Sequence, residues 1–431
     1  MTSRTLLMTW LRHAGAAATL AACSLFVKAQ TVSVPAASAA PPSAANLVSL
    51  RQVFDAAWAR QPEAMALQAR RDAARSEQAA AKAWTPEPAA LELSHKTDRL
   101  NRRQGAREQE VGVTVPLWLP GERDRSAALA ESIGAAVESH ATAAQLRTAA
   151  IVREAWWQWQ RARIDVDSAS EHLDNTRRIA ADVARRARAG DLARADQHQA
   201  DGAVASAEAG MAQAEAGLAA ARQSLRALAG TVVAPSKAAA ALAEPEPGVA
   251  AASLEAHAAL QALKDRAAVV ERAAMLASTQ SRANPELMLA TTRDRSAWGE
   301  AAQQTLTLGL RIPFGGGPRF EARIASARAE ASEVQAQLAL ERERLIAERE
   351  AAMVRVDSSR RQLAAAERRA QLARESRSFF EKSFRLGETD LPTRLRIEGE
   401  SAEADRQAAH TRIELAAAIS AWRQALGLLP P

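Results

Sequence analysis

The sequence predicts a mainly α-helical chain with a small transmembrane β part, laid out as two internal repeats. Three observations carry that prediction. The first is composition: of 431 residues 48% are hydrophobic, yet only 4% are aromatic and there is no Tyr. Alanine supplies much of the apolar count, and a chain rich in Ala, Arg, Glu and Gln favours long helices packed at close range over compact cores. The second is proline placement. None occurs between Pro120 and Pro235 or between Pro318 and Pro392, so two stretches are free to run as very long helices. The third is a pair of short alternating segments at matching places in each half. No run of about 18 apolar residues exists, so no helical membrane span is expected.

The formal charge is +6. Arg and Glu are interleaved along helical faces with no basic block, which argues against nucleic acid as a partner. Residues 1–29 read as a signal peptide: Arg4 and Arg12 flank a positive start, Ala14 to Val27 is apolar and small, and Val27-Lys28-Ala29 precedes Gln30 as a peptidase site would. Removing this segment, which carries Arg4, Arg12, Lys28 and no acid, lowers the charge to +3. A second reading treats Leu20-Ala21-Ala22-Cys23 as a lipobox, with Cys23, the only cysteine, as the lipidation site. Leu25-Phe26-Val27 continue the apolar run past Cys23, which favours cleavage near Ala29. Residues 30–46 follow as a Ser/Ala/Pro linker expected to be disordered.

Four landmarks recur at an offset of 197 residues: Pro88 with Pro285, Pro116 with Pro313, Gly190 with Gly387, and Gly230 with Gly427. Four coincidences without an insertion imply a duplicated unit, 47–230 and 250–428, joined by the Pro/Ala linker 231–249. Each unit opens with a helix, Leu50 to Ala83 in the first and Leu254 to Arg282 in the second. Proline then starts a β-hairpin, about 88–117 and 285–313. Val111, Val113 and Val115 share one face and Glu110, Gly112 and Thr114 the other. Leu306, Leu308, Leu310 and Ile312 oppose Thr305, Thr307, Gly309 and Arg311. Period-2 patterning over about ten residues suits a transmembrane barrel strand. A soluble sheet lying on a core is the alternative, but few large residues remain to build such a core. Trp84, Trp118, Trp298 and Phe314 lie near the strand ends, where an interfacial girdle places aromatics.

A long helical hairpin follows in each unit. Phe320, Ile324, Ala327, Ala331, Val334, Leu338, Glu341 and Leu345 form a narrow heptad stripe with one polar interruption. Arg319 to Leu391 would span roughly 110 Å as one helix. Gly190-Asp191 and Gly387-Glu388 mark the reversals, with tips near 190 and 387. Four strands cannot seal in a membrane, because their edges leave unpaired backbone groups. Three copies would supply twelve strands and close a barrel.

In these features the chain resembles the TolC family of bacterial outer-membrane efflux channels. The two-fold repeat, the opening helix with Gln61-Pro62-Glu63, the strand exits Val115-Pro116-Leu117 and Ile312-Pro313-Phe314-Gly315, and the turn Phe384-Arg385-Leu386-Gly387-Glu388-Thr389-Asp390-Leu391 carry the resemblance over residues 47–428. It implies a homotrimer in which a twelve-stranded β-barrel, four strands per chain, sits in outer-membrane lipid. A long α-helical coiled-coil tunnel continues it through the periplasm. It also implies a passive exit duct joined to a periplasmic adaptor (membrane-fusion) protein and an inner-membrane transporter of the resistance-nodulation-division type. The 384–391 turn, with the Pro392 that follows it, resembles the heavy-metal (cobalt, zinc, cadmium, copper) branch.

The resemblance places Gly190, Asp191, Gly387 and Glu388 at adaptor-contacting hairpin tips. Thr393 and Arg396 fall where the family often carries acidic rings inside the periplasmic mouth. Neither is acidic; Asp390 is the nearest acid, and its position before Leu391-Pro392 also fits a helix cap. No cofactor, metal site or catalytic group is expected. His13, His95, His140, His172, His198, His257 and His410 are scattered, and Gly315-Gly316-Gly317 lacks the residues of a phosphate loop. Trp156-Trp157-x-Trp159 could stack on single-stranded nucleic acid, but in a long helix it reads better as packing. Two rival classes remain. A periplasmic adaptor would show one hairpin and larger β-domains, and a pore-less secreted coiled coil would not need alternating strands.

Overall fold

A computed structural model defines the fold and describes residues 49–100, 103–231, 243–248, 253–315 and 317–431. The expected signal peptide, Cys23 and the linker 30–46 lie outside the described residues, as does most of 231–249. The described part is mainly helical with one small antiparallel sheet.

The chain opens with α1 (Leu50–Ala59). Ser49 caps it reciprocally with Gln52, each side chain bonding the other's amide at 3.2 Å. Leu50, Val53, Phe54 and Ala57 form its buried face. The single helix expected from Leu50 to Ala83 is broken here. Pro62 has no N–H and crowds the carbonyl four residues back, so it starts a new helix, α2 (Pro62–Ala81), as its first residue. The second opening helix is also shorter than expected from 254–282. A 3₁₀ turn, Leu254–Ala256, precedes α5 (Ala258–Thr279), and His257 between them caps α5 by accepting the Ala259 amide at 3.3 Å.

The strands are β1 (Ala90–Thr97), β2 (Arg107–Pro116), β3 (Glu286–Arg295) and β4 (Gln303–Arg311). They form one antiparallel sheet in the order β1-β2-β3-β4. The two hairpins thus join through β2 and β3, in the register Val111 with Thr291 and Val113 with Leu289.

Two long hairpins complete the chain. Helix α3 (Glu122–Ala189) has 68 residues and returns as α4 (Arg194–Ala229); α6 (Pro318–Arg385) also has 68 and returns as α7 (Leu391–Ala425). At 1.5 Å per residue the longer arms reach roughly 100 Å. The run expected as far as Leu391 ends at Arg385, because Gly387 adopts the left-handed geometry of a helix end. On the sheet side α3 lies between α2 and α5, and α6 flanks α5; farther away α3 lies between α4 and α7, and α6 flanks α7. The helices therefore form a wall one layer thick and four wide at both levels.

The sequence suggested no sizeable core, yet one exists at mid-height. Trp156, Trp157 and Trp159 pack with Val53, Phe54, Val152 and Leu225, and the Trp156 and Trp159 rings are 5.0 Å apart. Elsewhere small clusters suffice, such as Val334 against Ala267 and Val270.

Candidate functional site

The sheet has two chemically distinct faces. Cross-strand partners share a face, so the register puts Leu91, Val113, Leu289 and Leu308 in one row and Leu93, Val111, Thr291 and Leu306 in the next. These apolar side chains are bare: Leu306 and Leu308 are 72% exposed and Leu93 is 70% exposed. The opposite face carries Glu92, Ser94, Lys96, Glu108, Glu110, Thr114, Thr292, Asp294, Thr305 and Thr307. Lys96 pairs with Glu108 at 2.8 Å and Arg311 with Glu286 at 3.4 Å. Among the described residues neither β1 nor β4 has an outer partner strand. Trp84, Trp298 and Phe314 are exposed near the strand ends, whereas Trp118 is tied down by donating Nε1–H to the Ala83 carbonyl at 3.2 Å.

The sheet is fastened to the helical wall by a polar knot that the sequence did not reveal. Glu122, fully buried at the start of α3, accepts from the Leu119 amide (2.9 Å), Gln280 (2.6 Å) and Asn284 (2.8 Å). Asn284 also donates to the Leu117 carbonyl, and the Leu117 amide donates to the Pro285 carbonyl at 2.7 Å. Gln280 and Asn284 lie in the segment that joins α5 to β3, so a substitution at Glu122 would loosen both hairpins from the helices.

At the far end the hairpin tips come together. Gly190 and Gly387 have φ of 86° and 77°, where a Cβ is strained. Their neighbours close the turns: the Asp191 amide donates to the Arg186 carbonyl and the Glu388 amide to the Ser383 carbonyl. Gly190, Asp191, Gly387 and Glu388 are all exposed. Phe384 locks one tip to the other, buried with Ile179, Val183, Ala200 and Leu391. The Arg186 and Arg394 guanidinium groups lie 5.2 and 5.1 Å from its ring centroid. Asp390 caps α7, accepting the Thr393 amide at 3.1 Å. Hydrogen bonds from the Thr393 hydroxyl and amide hold its carboxyl below the usual range. Arg396 turns to Glu400 at 2.7 Å. All seven tip and mouth residues singled out in the sequence thus lie at one end of the wall.

The described residues 243–248, between the two long hairpins, make specific contacts with the helices. Glu244 is buried and accepts Arg153 Nε and Nη2 at 3.0 and 2.7 Å. Ser420 donates to it, and Arg423 pairs with it at 3.3 Å. Arg153 also bonds Gln424, which donates to the Leu146 carbonyl. The described piece, residues 243–248, is therefore clamped between α3 and α7 at Glu244. Among the described residues no group of three His, Cys, Asp or Glu side chains is arranged to hold a metal ion.

A one-layer helical wall of roughly 100 Å, carrying a four-stranded sheet with a bare apolar face, is the fold of bacterial outer-membrane channel proteins. Solved structures with this fold include VceC from Vibrio cholerae, at 17% identity and TM-score 0.67 over 88% of this chain and 96% of that one. CusC, described in connection with transmembrane channel formation, matches at 15% identity and TM-score 0.73 over 88% and 92%. The open-state MtrE channel of Neisseria gonorrhoeae matches at 14% identity and TM-score 0.67 over 88% and 89%. No protein-family model matches the chain, and no curated protein matches it in sequence.

Proposed function

We propose that the chain is one subunit of a TolC-type outer-membrane channel, a passive exit duct in which no bond is made or broken. Three copies pair their open sheet edges into a twelve-stranded barrel and their helices into a periplasmic tunnel. The observation that carries this reading is the sheet itself: a two-sided surface with its apolar side uncovered and both edges unpaired. In water such a face is an aggregation liability, and in lipid an unpaired edge costs several kcal/mol per group. Closure in a membrane removes both costs. An exposed apolar stripe on α6, including Leu340, Val354, Leu372 and Phe379 and continued by Leu386 just past its end, supports a second copy against that helix.

The finer parts of the reading follow. Residues 1–29 direct export, with Cys23 as the alternative acyl acceptor. The two halves, 47–230 and 250–428, derive from a duplication, supported by their shared element order and by two 68-residue arms. The tips at Gly190-Asp191 and Gly387-Glu388 receive a periplasmic adaptor, which links the duct to a resistance-nodulation-division transporter. Heavy-metal cations are the proposed cargo, on the strength of the 384–391 turn alone.

Fractionation and planar-bilayer recording test the core of this. Heat-resistant trimers in the outer membrane that give stepwise conductance are expected. A soluble periplasmic monomer without conductance would refute it. Unchanged zinc, cobalt, cadmium and copper tolerance in a deletion strain would remove the metal cargo alone.

A further inference from the structure

Charge is sorted by face at the strand ends remote from the helices. Beyond the apolar rows, the same face continues with His95, Gln109, Arg293 and Gln304, then Thr97, Arg107 and Arg295. No carboxylate occurs on this face of the four strands. The acids Glu92, Glu108, Glu110, Glu286 and Asp294 all lie on the other side. In the central strand pair the sorting is sharpest. Arg107 stands directly opposite Arg295, while the adjacent pair, Glu108 with Asp294, faces the other way.

Like charges directly opposite each other destabilise a sheet, so Arg107 and Arg295 want a counter-ion. The protein supplies none: among the described residues neither these two nor Arg293 joins an ion pair. Arg295 Nη2 reaches only the Gly105 carbonyl, at 3.5 Å, and its Nε is buried without a partner. Both guanidinium groups instead rest over Trp298, 5.8 and 5.3 Å from the ring centroid. The seat for that ring is built. Gly105 has φ 91°, and a Cβ there would stand 2.6 Å from the indole. The Trp298 amide donates to the Gln104 carbonyl at 2.9 Å. Beside it a cavity of about 390 Å³ is lined by Arg99, Arg103 and Arg107. Asp98 also lines it, but its carboxylate is engaged by the Gln104 and Gly105 amides at 2.6 and 3.1 Å.

We propose that Arg107 and Arg295, shelved on Trp298, together with Arg293 in the adjacent row of the same face, bind the phosphate group of an outer-leaflet lipid. This rests on the channel reading, which puts the apolar rows in hydrocarbon and the arginine rows at its outer boundary. Headgroup phosphates lie at that depth, and the guanidinium fork matches their geometry. The site belongs to the two central strands, so neighbouring subunits do not cover it.

Native mass spectrometry of the full-length protein in detergent tests this with defined probes: bisphosphorylated lipid A, the same lipid with its phosphates removed, and inorganic phosphate. The phosphorylated lipid should be retained about tenfold more tightly than the stripped one. That preference should vanish in the Arg107→Gln/Arg295→Gln variant and weaken with added salt. Inorganic phosphate in excess should not displace the lipid. Equal retention of the two lipids by the unmodified protein, a comparison that needs no variant, would overturn the proposal. So would displacement by inorganic phosphate at the lipid's own concentration, which would assign the arginines to a free ion. Bilayer conductance reports separately: its absence defeats the channel reading, whereas conductance without lipid preference defeats only this inference.

Discussion

Removing the Glu244 carboxylate should unseat the joint between the two halves of the chain. Glu244 and Arg153 are each about 95% buried, with two hydrogen bonds between them, and Ser420 and Arg423 converge on the same carboxylate. Glu244→Ala leaves the Arg153 guanidinium buried with Gln424 as its remaining partner. Stranding a buried charge costs about 3–5 kcal/mol. At about 2.1 cal/mol/K of unfolding entropy per residue, that lowers the midpoint by roughly 4–6 °C. The control lies two residues away. Glu246 pairs with Arg360 at 2.6 Å, but both side chains are half-exposed, so Glu246→Ala should cost about 0–1 kcal/mol. The assay is thermal dissociation of the detergent-solubilised protein, paired with trypsin cleavage within 231–253. A double variant, Arg153→Met with Glu244→Met, should recover the share of the loss that comes from the stranded Arg153, leaving the share of Arg423. Equal behaviour of the two alanine variants, or a double variant as unstable as Glu244→Ala, would refute the reasoning.

Three further outcomes are expected. Trp159→Ala empties the centre of the mid-height core, where the side chain is fully buried, and should cost about 3–5 kcal/mol, read as a lowered unfolding midpoint; a change within experimental error would show that the cluster is not a core. Phe384→Ala should release the hairpin tips from each other, with faster hydrogen exchange in both 183–200 and 380–395; acceleration confined to one tip would show that Phe384 does not couple them. His257 is pushed below its ordinary pKa chiefly by burial, so folding disfavours its protonation. Its contribution is complete above about pH 6.5 and is lost as pH falls through the lowered folded value. His257→Asn keeps a cap acceptor without titrating and should flatten that acid slope; an unchanged slope assigns it to other groups.

Much of the fold was legible because it is written in periodicity. Strands with two chemically different faces, two proline-free arms and glycine at both tips are local signals, and each depends on a few neighbouring residues. Pro62 is ambiguous in the sequence for the opposite reason: it permits a helix to start as readily as it forbids one to continue, and the choice depends on how α1 packs its Phe54 face. The core around Trp156, Trp157 and Trp159 was legible as packing but not as a core, since its partners on α1 and α4 lie far away in sequence. Glu244 and Glu122 left no signal at all. A glutamate in a Pro-rich linker and one in the first turn of a helix both read as solvated, and only the arrival of Arg153 and Asn284 from remote elements makes them buried acceptors. At the tips the positions were readable but the chemistry was less so, because nothing local says that Phe384 bridges Arg186 and Arg394.

The two borders of the molecule coincide in a way that bears on assembly. Strand order β1-β2-β3-β4 and sheet-side helix order α2-α3-α5-α6 run in step. Each strand is continuous with the helix of the same rank: α2 leads into β1, β2 into α3, α5 into β3, and β4 into α6. The unpaired edge of β4 and the exposed apolar stripe of α6 therefore belong to one border, and the unpaired edge of β1 and the α2/α4 side belong to the other. A neighbour that paired with β4 through its own β1 would bring its α2 and α4 against α6. Strand pairing and helix packing would be satisfied by the same approach, with no separate interface for each. Such a contact joins two different borders, so it is head-to-tail and generates a ring if the rotation closes. The antiparallel alternation is kept at the join, because β1 and β4 point in opposite directions. A soluble sheet folded on its own core would gain nothing from this alignment, whereas a barrel standing on a tunnel requires it.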